Sequence, residues 1–354
     1  MRVLVTGGAG FIGSHYVRTM LTGGYPGFEQ AEVTVLDKLS YAGNLDNLYP
    51  VADHDRLRFI HGDIGDPYLV TEIMQGQDYV VNFAAESHVD RSIKSAADFV
   101  ESNVAGVQVL AQACLDTGVR RLVQVSTDEV YGSVPVGSAT EGAPLEPNSP
   151  YAASKAGGDL IALAYHRTHG LDVRVTRGAN SYGPYQYPEK VIPLFVTNLL
   201  DGQTVPLYGD GKHVRSWLHV DDHCRAIQLV LCNGQPGTVY NVGGDTELAN
   251  LDLTKRLLDH CGADWQQVRQ VTDRKGHDRR YSLDDSRARE LGYSPRTSFE
   301  AGLTATVDWY RENRRWWQPL KDGVTSRPEV VRRVALARAE LCSPRGATPS
   351  QPPL

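Results

Sequence analysis

Arg2-Val3-Leu4-Val5-Thr6-Gly7-Gly8-Ala9-Gly10-Phe11-Ile12-Gly13 decides how the chain folds. A short β-branched run leads into glycines spaced G-x-x-G-x-x-G, and an apolar helix pattern continues to Leu21. Gly7, Gly10 and Gly13 permit a tight strand-to-helix turn and close approach of backbone to a pyrophosphate, which the helix N-terminus then holds. The next strand pattern, residues 32–36, ends at Asp37. A carboxylate there accepts hydrogen bonds from an adenosine ribose and repels a 2′-phosphate, which favours NAD over NADP. A third run, Leu57–His61, ends in Gly62-Asp63-Ile64. Asp63 is placed either to meet an adenine edge or to cap the helix that starts near Pro67.

Further out, strand patterns at residues 79–84 and 122–125 flank a long helix pattern, residues 96–117. The first ends in Ala84-Ala85-Glu86-Ser87-His88-Val89-Asp90-Arg91-Ser92, small residues suited to close cofactor approach and then a polar cluster. His88 has no Ser or Cys nucleophile motif with it, so a structural or substrate-positioning role is expected. Ser102 and Asn103 are placed to face the cofactor. The second strand delivers Ser126-Thr127-Asp128-Glu129-Val130-Tyr131-Gly132. Ligands bind at this end of an open α/β sheet. Burial and mutual repulsion there raise the pKa values of the adjacent carboxyls Asp128 and Glu129, making them general acid and base candidates. Beyond a Pro-rich loop, Tyr151-Ala152-Ala153-Ser154-Lys155 opens a helix pattern to His169. Tyr151 and Lys155 share a helix face, and the ammonium is expected to lower the Tyr151 pKa toward neutrality.

Strands alternating with helix-length connections give an α/β fold, a doubly wound parallel sheet of Rossmann type. Residues 1–178 form this NAD-binding domain, extended by the strand at 172–176. Composition changes at Gly178-Ala179-Asn180-Ser181-Tyr182-Gly183-Pro184-Tyr185. Residues 179–318 are expected to form mainly a smaller, mixed α/β substrate domain, with some segments returning to the first. Its strands are expected at Val205–Tyr208, 215–219 and 239–242, and its helices near 221–232, 251–261 and 299–313. Lys190, Lys212, Arg215, Arg274, Lys275 and Arg279 stand there; Arg215 and one residue of the 273–279 group are expected to touch a substrate pyrophosphate. The tail, 319–354, ends in a Pro-Ser-Gly-rich stretch expected to be flexible.

The 354 residues suit two domains, and 41% hydrophobic with 22% charged residues is ordinary for a soluble enzyme. A net charge of −6 argues against a nucleic-acid partner. No signal peptide and no membrane-length apolar run is visible. The five cysteines lack C-x-x-C spacing. They are expected to be reduced thiols in a cytoplasmic protein, with no metal site.

With these residues in view, Thr6 to Ser14 together with Tyr151 and Lys155 resembles the extended short-chain dehydrogenase/reductase superfamily. Asp37-Lys38-Leu39-Ser40-Tyr41-Ala42-Gly43-Asn44, the Ala85–Ser92 run and the Ser126–Gly132 run resemble, more narrowly, its dTDP-glucose 4,6-dehydratase family. The likeness continues through Pro188-Glu189-Lys190, Tyr208-Gly209-Asp210-Gly211 and Asp273-Arg274-Lys275-Gly276-His277-Asp278, covering about residues 1 to 315.

The resemblance implies a reaction and its residues. Tyr151, helped by Lys155, takes the sugar 4-hydroxyl proton while hydride leaves C4 for NAD, and Thr127 hydrogen-bonds the same oxygen. Glu129 removes the C5 proton, Asp128 protonates the departing 6-hydroxyl, and hydride returns to C6. By the same likeness Phe11, Ile12, Asp37, Lys38, Leu39, Ser40, Asp63, Ile64, Phe83, Ala84, Ala85, Ser87, Ser102 and Ser181 join the Gly loop in holding NAD. Ser87, Asn180, Lys190, Val191, Pro206, Leu207, Tyr208, Arg215, Asn250, Asp273, Arg274, Lys275, Gly276 and His277 would meet the sugar nucleotide. The 96–117 and Tyr151 helices resemble the pair through which the superfamily forms homodimers. Ser181 stands where the family has a second Asn, Ser102 replaces a Thr, and Lys275 replaces a Pro. An epimerase or decarboxylase of the superfamily is the nearest rival, but an epimerase has no use for a C5 base and a C6 acid. A GDP-mannose dehydratase would resemble Ser-Thr-Ser-Glu here, so Asp128 separates the two. A non-catalytic NAD-binding scaffold would not need Tyr151, Lys155 or Glu129.

Overall fold

The computed structural model of the protein describes residues 1–323; the basic and Pro-Ser-Gly-rich stretch from Ser326, with Cys342, lies outside the described residues. Among the described residues twelve strands occur in chain order: β1 (Arg2–Thr6), β2 (Glu32–Asp37), β3 (Leu57–His61), β4 (Tyr79–Asn82), β5 (Arg121–Thr127), β6 (Val173–Gly178), β7 (Asn180–Tyr182), β8 (Val205–Tyr208), β9 (Val214–His219), β10 (Thr238–Val242), β11 (Thr246–Ala249) and β12 (Val268–Val271). Seven of them make one sheet in the order β10-β6-β5-β4-β1-β2-β3. Every pairing in it is parallel.

A parallel sheet buries both faces, which is why its strands are apolar without alternation. Val3, Leu4 and Val5 are all fully buried. One face packs against the helices Phe11–Leu21 and Val220–Asn233 through Tyr16, Val17, Met20, Ile227 and Leu231. The other packs against Pro67–Met74, Gly106–Thr117 and Pro150–His169 through Val70, Leu110, Ala162 and Leu163. The strand order reverses between β1 and β4. A crevice opens at the carboxyl ends of the strands at such a switch point.

Three boundaries differ from the sequence reading. β4 stops at Asn82 because the Asn82 side chain takes over the pairing, donating to Gln124 Oε1 at 2.6 Å and accepting from Ala84 N at 3.1 Å. The long helix is α-helical over Ala97–Val100, π-helical over Glu101–Ala105 and α-helical again over Gly106–Thr117. β10 and the helix Val220–Asn233 belong to the main sheet rather than to the second unit, since β10 pairs with β6 and the helix covers β5 and β6.

The second unit contains the sheets β11-β9-β7 and β12-β8. The helices Val191–Leu200, Asn250–Cys261, Phe299–Glu312 and Arg314–Lys321 pack around them. Its core is aromatic, with Tyr182, Trp217, Phe299, Tyr310, Trp316 and Trp317 in one cluster. Trp316 Nε1 donates to Asn47 Oδ1 at 3.0 Å and Arg18 lies 4.2 Å over the Tyr185 ring, so the second unit is keyed to the first away from the crevice.

Candidate active site

The crevice begins at the Gly loop. Gly7 has φ +68°, and a Cβ on it would fall 2.5 Å from Ala84 N, so the turn packs backbone to backbone against the β4 end. Gly10 is extended, and no side chain caps the helix that follows. First-turn amides have no acceptor within their own helix and suit an anion. On the β2 side, Asp37 accepts from Ala9 N at 2.9 Å and Leu39 N at 2.8 Å. Burial raises its pKa, and those two bonds oppose the rise. Lys38 donates to Ser102 Oγ at 2.7 Å and lies 3.6 Å from Asp63 and 3.7 Å from Glu86. Asp63 does not cap the Pro67 helix; Asp66 does, through Tyr68 N and Leu69 N.

Gly7, Gly10, Phe11, Ile12, Gly13, Asp37, Lys38, Ser40, Asp63, Ile64, Phe83, Ala84, Ala85, Ser87, Ser102, Tyr151, Lys155 and Ser181 line one continuous cleft. Leu39 does not: its backbone serves Asp37 while its side chain packs on the core beside β2. Asn103 turns away as well. It binds Glu86 N, Glu86 O and Ser154 Oγ at 2.9, 3.0 and 2.9 Å, so it positions the β4 loop instead of facing the cofactor. An uncapped helix start, a carboxylate at the end of β2 and a Gly-paved floor fit a dinucleotide.

At the end of β5, Thr127 caps a short 3-10 turn, Asp128–Tyr131, by accepting from Glu129 N at 3.2 Å. Thr127 and Glu129 line the cleft. Asp128 sits behind them, 2% exposed, accepting from Thr127 Oγ1 at 3.1 Å, with Oδ2 buried and unpartnered among the described residues. Burial, then the Glu129 charge, pushes its pKa up to about 8. Asp128 is therefore protonated near neutral pH.

Tyr151 and Lys155 lie on one face of the helix Pro150–His169, both buried and both lining the cleft. Lys155 Nζ donates to Val125 O at 2.8 Å, and burial lowers its pKa to about 8. The expected lowering of the Tyr151 pKa does not occur in this structure. Burial first, then Glu129 and Asp128, raise it well above the ordinary phenol value, against the effect of the Thr127 hydroxyl. Desolvation and two nearby carboxyls outweigh one ammonium held by a carbonyl.

Of the residues assigned to substrate, Ser87, Thr127, Asn180 and Lys190 line the same cleft. The others come together on the second unit. Tyr208 donates to Asp90 Oδ2 at 3.3 Å, and Arg274 lies 3.8 Å from Asp90. His277 and His213 stack at 3.7 Å and share the Asp273 carboxylate. Asn250 N donates to His213 O, and Pro206 and Leu207 lie on β8 beside β12. Val191 begins the helix that follows Lys190. Gly276 passes so close to the loop before Tyr151 that a Cβ would meet Asn148 O at 2.4 Å, and Lys275 next to it is exposed. Arg215, 5% exposed, lies 4.2 Å over the Tyr281 ring and donates to the carbonyls of Val214 and Asp278 rather than to a carboxylate. Arg279 is paired with Asp210, whereas Arg274 keeps a buried Nε without a partner among the described residues. Lys190 is half-buried and donates to Ser87 O at 2.7 Å.

Glu189 and His223 in the cleft, and Tyr281 behind Glu129, were given no role by the sequence reading. Tyr281 OH lies 3.4 Å from Glu129 Oε2 and donates to Asp278 Oδ2 at 2.9 Å. Glu189 pairs with Arg91 at 3.4 Å and lies 3.6 Å from His88. His88 itself caps the helix Val89–Lys94, which is a structural role. His223 reaches the cleft from below β6. His223 and Tyr281 arrive from elements distant in sequence that no local motif marks, whereas Glu189 stands beside Lys190 in the Pro188-Glu189-Lys190 stretch.

Fold and site together define an enzyme of the nucleotide-sugar dehydratase class, and residues 4–306 match the GDP-mannose 4,6 dehydratase family. A dTDP-glucose 4,6-dehydratase of Streptomyces niveus is 60% identical over 93% of this chain and 98% of its own length. One from Streptomyces antibioticus is 61% identical over 91% and 96%. The crystal structure of the dTDP-glucose 4,6-dehydratase DesIV from Streptomyces venezuelae, with NAD bound, superimposes with a TM-score of 0.89 at 64% identity, covering 90% of this chain and 100% of that one. The chain belongs to the dTDP-glucose 4,6-dehydratase family.

Proposed function

We propose that this cleft converts dTDP-glucose to dTDP-4-keto-6-deoxyglucose and water by the following division of labour. NAD, when bound on the Gly loop, accepts a hydride from C4 of the sugar and returns it to C6. Tyr151 receives the 4-hydroxyl proton as a phenolate, which the Lys155 ammonium four residues on and the cationic nicotinamide ring of bound NAD would stabilise, with Thr127 beside the same oxygen. A ketone at C4 acidifies the C5 proton, and Glu129 removes it. Asp128, already protonated, passes its proton to the 6-hydroxyl as that group leaves as water, and Glu129 returns a proton to C5. One observation carries this reading: two carboxyls stand side by side at the strand end, and the buried one is held as an acid. An epimerase needs neither.

Arg215 and Arg274 are the pair that meets the diphosphate. Arg215 is a buried cation hydrogen-bonded only to carbonyls, and Arg274 keeps an unpartnered Nε. A homodimer through the helices Gly106–Thr117 and Pro150–His169 completes the assembly; exposed Leu160 supports it, at 53% accessibility. No helix of the described residues is long and apolar enough to cross a membrane. A cytoplasmic location is part of the proposal and follows from the supply of its nucleotide-sugar substrate. The test is incubation with dTDP-, UDP- and GDP-hexoses. A 4-keto-6-deoxy product from dTDP-glucose is expected, and product only from a GDP-hexose would overturn the assignment.

A further inference from the structure

Arg177 stands near the end of β6, 3% exposed, beside Ser126 in the register with β5. Its Nε donates to Asp159 Oδ2 at 2.9 Å and its Nη1 to the Tyr131 hydroxyl at 2.8 Å. The direction of the second bond is fixed. Asn241 Nδ2 donates to Ala139 O at 2.9 Å and to Asp284 O at 3.1 Å, which turns the amide oxygen toward Tyr131. Tyr131 gives its one proton to that oxygen at 2.7 Å and so accepts from Arg177. Each partner of Arg177 belongs to an element of the site. Asp159, fully buried, lies one turn past Lys155 on the helix Pro150–His169. Tyr131 closes the turn Asp128–Tyr131, two residues past Glu129. Asp159 Oδ1 has no hydrogen-bond partner among the described residues. Burial lowers the Lys155 pKa, and the Asp159 charge opposes that fall.

We propose that Arg177 is a positioning residue that sets the helix of Tyr151 and Lys155 against the turn of Asp128 and Glu129, with Asp159 acting through Lys155 and Tyr131 acting through Glu129. The inference rests on the division of labour proposed above. A guanidinium presents its donors as a rigid planar fork, so one side chain holds two elements at a fixed angle; an ammonium is a point charge and does not. Both halves of the reaction need that alignment. Proton transfers at the 4-hydroxyl and at C5 are made to one substrate in one pose, and a shift of about 1 Å in a reacting group costs about a hundredfold. Asp159 also supplies a charge of the sign that keeps Lys155 an ammonium.

The test separates the two halves in a single turnover of the whole protein loaded with NAD. NADH absorbance rises with oxidation at C4 and falls when hydride returns to C6 after elimination. Tyr131→Phe is expected to leave the rise within about twofold of wild type and to slow the fall at least about tenfold, so that NADH builds up. Asp159→Asn is expected to slow the rise about tenfold, with no build-up. Arg177→Lys keeps a cation for Asp159 and loses the second arm, so it is expected to follow Tyr131→Phe. A network that only supports the fold would slow both phases alike. Equal slowing of rise and fall in Tyr131→Phe, a wild-type fall in Arg177→Lys, or a loss that more substrate restores would overturn the inference. If Asp159→Asn does not fold, Tyr131→Phe and Arg177→Lys decide. A wild type that forms no 4-keto-6-deoxy product sinks the proposed function itself, whereas variants with wild-type transients sink only this inference.

Discussion

Burying Asp128 beside Glu129 costs the fold stability, and the proposed acid role uses the proton that this burial retains. The Asp128 pKa is about 8 in the folded chain and roughly 3.9 in an unfolded one. Between those values the folded state keeps a proton that the unfolded state has lost. Stability from this group therefore falls as pH rises from about 4 to about 8, and is flat beyond. Asp128→Asn should abolish that slope and raise Tm at pH 7.5 by at least ~2 °C, with a smaller gain at pH 5. Differential scanning calorimetry at the two pH values checks this; a variant less stable than wild type at pH 7.5 would contradict it. The same ionisation predicts that wild-type elimination slows above about pH 8. The placing of Asp128 and Glu129 together at the strand end was legible because strand, turn and carboxyls are contiguous in sequence. The acidity of Tyr151 was not. The i, i+4 rule places Lys155 on its face, but only the fold shows that Lys155 is held by Val125 O and that two carboxyls crowd the phenol.

At the scale of elements, the π-helical turn Glu101–Ala105 joins the Glu86 end of the cleft to the Tyr151 helix. Hydrophobic periodicity shows one helix over residues 96–117 and cannot show a single extra residue in one turn. In the structure that turn aims Asn103 between the Glu86 backbone and Ser154. Gly158 lets the helices touch there, since a Cβ on it would fall 2.3 Å from Asn103 O. Asn103→Ala removes three buried hydrogen bonds and leaves the Glu86 groups unpaired. It should cost about 2–4 kcal/mol in urea unfolding and weaken NAD binding through the displaced Glu86–Ser87 loop. A change below about 0.5 kcal/mol would mean that the loop is held by other contacts. β10 and the helix before it are segments of 179–318 that return to the first unit, as some were expected to, but the sequence did not pick them out. Their composition resembles that of the second unit, and only parallel pairing with β6 returns them to the first.

For the whole molecule, the Rossmann-type sheet was readable from alternation, because parallel strands buried on both faces leave unbroken apolar runs. The convergence of Glu189 and His223 on the cleft, and of Tyr281 on Glu129, was not, since each depends on contacts between elements far apart in the chain. Assembly is the open question at this scale. Leu160 is 53% exposed on the Tyr151 helix, although that helix already buries Ala162 and Leu163 against the main sheet. Sedimentation of the wild type at micromolar concentration should give a dimer, and Leu160→Glu should shift it toward monomer. A monomeric wild type would count against the proposed bundle.

The central claim is that oxidation and elimination use different groups, with Glu129 as the C5 base. Glu129→Gln should therefore oxidise the sugar and stop. Single-turnover mixing with dTDP-glucose, quenched and analysed by NMR, measures this directly. The account predicts a 4-keto sugar that retains its 6-hydroxyl and its C5 proton, with the 6-deoxy product formed about 10²–10⁴-fold more slowly than in wild type. Formation of dTDP-4-keto-6-deoxyglucose at the wild-type rate would contradict it.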